Sequence, residues 1–174
     1  GTVSGTSISF GTAVVFESAT SQAISATFDS NSNKVVIAYS DDGNSSYGTA
    51  IVGTVSGTSI SFGTAVVFES GTMGVDGIAA TFDSNSNKVV IAYKNGSNSS
   101  YGTAIVGTVS GTSISFGTAV VFVSASAAYI SATFDSTSNK VVVAYAEGYS
   151  NGTAIVGTVS GTSISFGTAV VFES

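Results

Sequence analysis

One phrase of 18 residues, GTVSGTSISFGTAVVFES, occurs four times in this chain. It begins at Gly1 and recurs unchanged at Gly53 and Gly157, while the copy that begins at Gly107 differs only by Val123 in place of Glu. The copies start 52, 54 and 50 residues apart in a chain of 174 residues. A period of this length is typical of arrays in which each copy of one small unit buries its apolar surface against its neighbours.

A second phrase lies between these copies, so that each period contains four short apolar runs. The second phrase occupies residues 24–39, 78–93 and 130–145, and its first occurrence reads ISATFDSNSNKVVIAY. The runs of the first period, named A to D, are Ile24–Phe28, Val35–Tyr39, Thr49–Val55 and Ser59–Phe68. They are rich in β-branched and aromatic residues and are bounded by Gly, Asn, Asp and Ser, which predicts β-strands. Run B is apolar at successive positions, which indicates a strand covered on both faces.

The short connections predict an antiparallel meander of four strands in each period. DSNSNK between A and B is a turn sequence, and Ser56-Gly57 between C and D suits a tight hairpin. The predicted fold class is all-β, made of tandem four-stranded antiparallel meanders of about 52 residues that resemble β-propeller blades. A β-solenoid or a fibrous repeat array is the alternative. The predicted units are a partial repeat at 1–18 and repeats 1, 2 and 3 at 19–70, 71–124 and 125–174, which together form one repeat domain.

Composition argues against several functional classes. The net charge is −6, and the four basic residues are scattered lysines, Lys34, Lys88, Lys94 and Lys140. Nucleic acid is therefore not an expected partner, since it requires clustered positive charge. No apolar run approaches the roughly 18 residues of a membrane helix, so membrane insertion is not expected either. Without His or Cys, the usual nucleophile pairs cannot form, and we expect no enzymatic activity.

The repeats differ from one another mainly in two places. One is the link from D to A, at 17–23, 69–77 and 123–129, and the other is the loop from B to C, at 40–47, 94–101 and 146–151. Successive strands of a meander run in opposite directions, so both segments are predicted at the same end of the sheets. Exposure alone would allow all loops to vary, whereas a surface that contacts a ligand would vary at one end. The ligand-binding candidates at this end are Asp41, Asp42, Asn44, Met73, Asp76, Lys94, Asn95, Tyr129, Glu147 and Tyr149.

The acidic loop residues suggest two other kinds of chemistry, glycoside hydrolysis and calcium binding. Asp41 or Asp42 together with Asp76 and Glu147 could supply the carboxylate pair of a glycosidase, although solvated loop acids are the simpler interpretation. The run Asp41-Asp42-Gly43-Asn44 offers oxygen ligands for calcium but lacks the EF-hand spacing and its closing Glu. No metal and no cofactor is therefore expected. The acids that recur in the A–B turns, Asp29, Asp83 and Asp135, are interpreted as turn formers.

The phrases AIVGTVSGTSISFGTAVVFES and ATFDSNSNKVVIAY resemble repeats of marine bacteriophage tail-fibre and virion structural proteins and of bacterial surface repeat proteins. The resemblance covers essentially the whole chain. It implies a propeller-like module that is extracellular, on a cell surface or on a virion, with host attachment as its role. That family has no catalytic motif to carry over. The near-identity of the copies departs from ordinary diverged blades and suggests recent duplication or deliberate construction.

Three units and one spare D strand are too few to close a propeller, which typically needs at least four blades. Exposed sheet edges invite pairing with another chain, so we expect self-association through unpaired strands or an incomplete ring, unless the chain is a window of a longer array. The first functional hypothesis is a surface or virion module that presents its variable loops to a glycan or another surface receptor. The second is a structural spacer or filament-forming repeat, and the third and weakest is a glycosidase.

Overall fold

The chain folds as an all-β protein, as the short apolar runs predict. A computed structural model describes the backbone of residues 1–174 and the side chains of all residues except Val75. One 3-10 turn, Asp42–Asn44, accompanies the strands. The strands are β1 (Thr2–Ser4), β2 (Ser7–Ser9), β3 (Ser21–Asp29), β4 (Lys34–Asp41), β5 (Tyr47–Ser56), β6 (Ser59–Phe62), β7 (Val66–Asp83), β8 (Lys88–Asn95), β9 (Tyr101–Ser110), β10 (Ser113–Phe116), β11 (Val120–Asp135), β12 (Lys140–Glu147), β13 (Asn151–Ser160), β14 (Ser163–Phe166) and β15 (Val170–Glu173).

Thirteen of these strands belong to one antiparallel sheet. Its main path has the order β14-β13-β12-β11-β9-β8-β7-β5-β4-β3, and β10, β15 and β6 pair alongside β9, β13 and β5. Within the described residues the path does not close on itself into a barrel or a complete propeller. Strands β1 and β2 form a separate hairpin. Among the described residues, no helix has the length and apolar character needed to span a membrane.

The A–B and C–D turns have the chemistry that the sequence predicts. Asp29 Oδ1 accepts hydrogen bonds from the backbone amides of Asn31 and Ser32 at 2.9 and 3.0 Å, and Asp83 and Asp135 do the same in their own turns. Their role as turn formers is therefore confirmed. In the C–D hairpin, Gly57 has a φ of +60°, which suits the first central position of a type II′ turn.

The D-to-A link is not a loop, contrary to the prediction. Strand β7 continues from D of repeat 1 into A of repeat 2, and β11 does the same between repeats 2 and 3. The first part of β7 pairs with β5 and the remainder pairs with β8. Each crossing contains shifts in register, which are the signature of β-bulges. The extra residues of the second link are therefore absorbed inside a strand, and the D–A segments lie within the sheet.

The predicted strand D is also interrupted, at residues 63–65 between β6 and β7. At this break the backbone amide of Gly63 donates to the carbonyl of Val52, and a Cβ at Gly63 would collide with the carbonyl of Thr112. Thr112 belongs to the C–D hairpin of the next repeat. The interruption therefore lets one repeat make close backbone contact with the repeat that follows.

Two apolar clusters hold successive repeats together. In β8, Val89 and Ile91 pack in a cluster with Val36 of repeat 1, while Val90 packs in the other cluster with Val143 of repeat 3. All five are fully buried. Repeat 2 is thus covered on both faces, as run B predicts, whereas repeats 1 and 3 each have one outer face.

An aromatic trio recurs at each junction between copies. The ring of Phe68 lies 5.3 Å from that of Tyr93 and 5.6 Å from that of Phe116, measured between centroids. The equivalent trios are Phe16 with Tyr39 and Phe62, and Phe122 with Tyr145 and Phe166. The partial copy at the start of the chain therefore packs its Phe16 on repeat 1 much as a complete preceding repeat would.

Candidate functional site

The segments that differ between repeats lie next to one another along one side of the array. We call this side the rim, made of the B–C loops 40–47, 94–101 and 146–151 together with the D–A segments 17–23, 69–77 and 123–129. Backbone pairing joins the two kinds of segment: Tyr47 pairs with Thr72, and Met73 pairs with Asn95. Farther along, Ala127 pairs with Glu147. The predicted convergence at one end is therefore present, although the D–A segments reach it as strands.

A cluster at the rim joins residues of repeats 2 and 3. Lys94, from the end of β8, places its Nζ 3.1 Å from Asp76 Oδ1. The same Nζ donates to the hydroxyl oxygen of Tyr149 at 2.5 Å, and the Tyr149 hydroxyl donates to Asp76 Oδ2 at 3.0 Å. Lys94 Nζ also lies 4.9 Å from the centre of the Tyr149 ring, within range of a cation–π interaction. These contacts fix the B–C loop of repeat 3 against repeat 2.

The protonation states of this cluster follow from its contacts. Burial favours a higher pKa for Asp76, but hydrogen bonds from Lys94 and Tyr149 and the lysine charge outweigh it and lower the pKa. For Lys94, burial favours a lower pKa, and the contacts with Tyr149 and Asp76 outweigh it and raise the pKa. Both groups are therefore charged at neutral pH, and their attraction is retained there.

Beside this cluster, Tyr129 and Tyr149 form a pair of open aromatic rings. Their centroids are 6.1 Å apart with an interplanar angle of 84°, an edge-to-face arrangement. Tyr129 is 68% exposed and Tyr149 is 53% exposed. Both have left-handed backbone, with φ of +51° and +65°, which is uncommon for a bulky residue and is a form of strain that concentrates at functional sites. We call these two residues the tyrosine pair.

A second polar group at the rim centres on Glu69, which was not among the predicted candidates. Its Oε2 accepts hydrogen bonds from the Tyr93 hydroxyl at 3.0 Å and from Asn95 Nδ2 at 2.7 Å. In the next copy of the phrase the equivalent position is Val123, the single difference among the four copies. The replacement of Glu by Val was thus visible in the sequence, but the contact between Glu69 and Tyr93 is visible only in the structure.

In repeat 1, Asp42 is held by two neighbours. Gln22 donates from Nε2 to Asp42 Oδ2 at 2.6 Å, and Ser46 Oγ donates to Oδ1 at 2.9 Å. Gln22 lies on β3 and was also missed by the sequence prediction, because nothing in the sequence indicates which loop residue it faces. These contacts give Asp42 a structural role in shaping the first B–C loop.

The ten candidate residues divide by exposure. Asn44, Tyr129 and Tyr149 are exposed, and Asp42, Asp76 and Glu147 are half-buried. The remaining four are buried, namely Asp41, Met73, Lys94 and Asn95. The side chain of Met73 packs in the apolar cluster between repeats 1 and 2.

No enclosed cavity is found in the described part of the chain. Among the described residues there is also no group of three or more His, Cys, Asp or Glu side chains placed to hold a metal ion. The features open to a ligand at the rim are surface side chains, above all the tyrosine pair with the carboxylate of Asp76 behind it.

Comparisons with protein families, with curated proteins and with solved structures find no match to this chain. The interpretation of the rim therefore depends on its residues and their geometry.

Proposed function

We propose that this chain is a non-enzymatic repeat module whose rim recognises a glycan or another surface receptor. The observation that carries this proposal is the tyrosine pair, in which two exposed rings are held in fixed positions by contacts that span repeats 2 and 3. Lys94 and Asp76 fix Tyr149, and the edge of one tyrosine ring meets the face of the other. An exposed side chain anchored in this way loses little conformational entropy on binding.

The chemistry of the pair suits a sugar or a protein surface that carries both apolar and polar groups. A tyrosine ring packs on apolar C–H groups while its hydroxyl and the nearby carboxylate exchange hydrogen bonds. The open placement of the rings suits an extended ligand or a macromolecular surface.

We also propose that the repeats are blade-like units arranged as an open segment of a propeller-like array. The support is that repeat 2 packs one face on repeat 1 and the other on repeat 3. The resemblance of the repeat phrases to virion and bacterial surface proteins supports a location on a virion, on a cell surface or outside the cell.

A second candidate function is a structural spacer or filament-forming array. It is supported by a different observation, namely that the aromatic trio and the contact of a glycine with the following hairpin recur at each junction. The aromatic trios of Phe68 and Phe122 have nearly the same geometry, and Gly63 and Gly117 each meet the hairpin of the following repeat. Core contacts that recur at every junction allow an array to be extended by further copies.

Glycan-array binding tests the recognition proposal. We expect the unaltered chain to bind a subset of glycans and the variants Tyr129→Ala and Tyr149→Ala to bind the same glycans at least about tenfold more weakly. Phe10→Ala is the matched control, because Phe10 is an aromatic residue that is 77% exposed on the separate N-terminal segment. Its binding should equal that of the unaltered chain.

The result that would contradict recognition at the rim is glycan binding that both tyrosine variants retain, or binding that the Phe10 variant loses to the same extent. Thermal unfolding of each variant provides the folding check. Both tyrosines are exposed, so their replacement should leave the two apolar clusters between repeats in place.

A further inference from the structure

Identical residues are buried inside the array and exposed at its two ends. Val106 of repeat 2 is fully buried, whereas its equivalent in repeat 3, Val156, is 45% exposed. Ile130 of repeat 3 is 8% exposed, whereas its equivalent in repeat 1, Ile24, is 54% exposed. Val106 and Ile130 belong to the same apolar cluster, which joins repeat 2 to repeat 3. The two exposed residues are thus the two halves of a contact that the chain already makes internally.

The other contacts of that junction are also open at the C-terminal end. Phe122 is 7% exposed in its aromatic trio, but Phe172, the same position one copy later, is 65% exposed. A Cβ at Gly117 would collide with the carbonyl of Thr162 in the following repeat. At Gly167 the only neighbour of such a Cβ is the Val156 carbonyl at 3.8 Å.

From this equivalence we propose that a second copy of this chain docks head to tail on the first. The donor end is Val156, Gly167 and Phe172 of repeat 3. It packs on the acceptor end of another copy, formed by Ile24, Tyr39 and Thr58 of repeat 1. The contact reproduces the junction between repeats 2 and 3, in which the equivalent residues pack together. A second copy is the expected partner because its repeat 1 carries the same residues that repeat 3 presents to repeat 2 within one chain.

Docking requires the partial copy at the start of the acceptor chain to leave its place. Residues 1–18 are identical in sequence to 157–174, and Phe16 already occupies the position on Tyr39 and Phe62 that Phe172 of the other copy would take. Residues 1–15 are all exposed and are held as strands only by the β1–β2 hairpin. The incoming segment is backed by β13, with which both β14 and β15 pair. The N-terminal segment contacts repeat 1 through Gly11, which lies against Thr58, and through Phe16. It is exchanged for an equivalent segment that is paired to a complete sheet.

Because the two ends are different surfaces, the interface is heterologous, and it builds either a ring or an open filament. Two kinds of variant separate the ends. Val156→Lys places a charge on the donor end, and Ile24→Lys places one on the acceptor end, both at positions exposed in a single chain. Ser84→Lys is the matched control, since Ser84 is exposed in an A–B turn away from both end faces.

Sedimentation velocity over a range of concentrations is the measurement. We expect the unaltered chain and Ser84→Lys to gain mass as concentration rises, and the two end variants to remain at the mass of one chain with unchanged circular dichroism. A mixture of Val156→Lys and Ile24→Lys should form a 1:1 complex, because each variant retains the end that the other lacks. A one-chain mass for the unaltered protein at every concentration would overturn the proposal. So would association that both end variants retain.

The duplicated phenylalanines test the exchange of segments. Phe16→Ala weakens the cover over Tyr39 within one chain and should shift association to lower concentration. Phe172→Ala removes the incoming ring and should shift association to higher concentration, and the double variant should follow Phe172→Ala. Equal effects of the two single variants would overturn the exchange.

Discussion

The hydroxyl of the buried tyrosine in strand B has a hydrogen-bond partner in repeat 2 and none in repeats 1 and 3. Tyr93 donates to Glu69 at 3.0 Å, whereas the hydroxyl of Tyr145 is buried without a hydrogen-bond partner. Val123 stands where Glu69 stands one repeat earlier, so the carboxylate that Tyr93 contacts has no equivalent for Tyr145. The hydroxyl of Tyr39 also lacks a hydrogen-bond partner, although Glu17 occupies the equivalent position. A buried polar group without a partner loses its hydration and gains nothing in return.

This difference predicts opposite outcomes for the same substitution in two repeats. Tyr93→Phe removes a hydrogen bond to a carboxylate and should lower the free energy of unfolding by about 1–2 kcal/mol. Tyr145→Phe removes a hydroxyl that has no partner and should leave the free energy of unfolding unchanged or raise it slightly. Urea unfolding of both variants checks the prediction, and a larger loss for Tyr145→Phe than for Tyr93→Phe would contradict it.

The strand C glycines decide how closely each aromatic trio can approach its sheet. A Cβ at Gly102 would collide with the ring of Phe122, which lies over β9. A Cβ at Gly152 would meet Phe172 at 2.7 Å in the same way, but Phe172 lies at the open end and is largely exposed. Gly102 therefore has a tightly packed neighbour inside the array, whereas its equivalent Gly152 has a neighbour with room to move.

Alanine at these two glycines should consequently have unequal effects. Gly102→Ala forces Phe122 away from Tyr145 and Phe166, and overpacking of this kind costs about 1–3 kcal/mol of stability. Gly152→Ala displaces a side chain that has room to move and should cost clearly less. The free energies of unfolding of the two variants, measured under one condition, make the comparison. Equal losses would show that the trio is not the source of the constraint.

For the whole molecule, the buried tyrosines couple stability to alkaline pH. Burial, followed by the charges of Glu17 and Asp41, raises the pKa of Tyr39 to about 12. Burial and nearby carboxylates also raise the pKa of Tyr93 and of Tyr145. In the unfolded chain the tyrosine pKa is about 10. At a pH between the unfolded and the folded pKa of these tyrosines, their hydroxyls lose protons in the unfolded chain but keep them in the folded chain.

The sign of the pH dependence follows from this difference. The stabilising contribution of the raised pKa values is complete below about pH 10 and is lost as the pH rises through the folded values. The free energy of unfolding should therefore fall from about pH 10 upward, and the raised pKa of Lys94 acts in the same direction. Urea titrations at a series of pH values, together with tyrosinate absorbance, test this. Stability that stays constant through that range would contradict it.

Much of the fold could be predicted because each run carries its own local information. Alternation of apolar residues predicts the strands, and Asp29 and Gly57 predict the turns at which chains reverse. The rim could be placed because meander loops alternate between two ends. Glu69 and Gln22 were missed because their partners are distant in the chain. The burial of Met73 was not predicted because the expected loop is part of strand β7, which packs between repeats.

The repeated phrases specify the strands, their turns and the residues able to pack at a junction, since these depend on local chemistry. The repeated phrases do not specify how far each of these residues is buried. Val106 and Val156 lie in the same stretch of sequence, yet one is fully buried and the other is 45% exposed. The physical reason is that burial depends on whether a following repeat is present, which is a property of position in the array. The same reasoning separates Phe122, which a following repeat covers, from Phe172, which is 65% exposed.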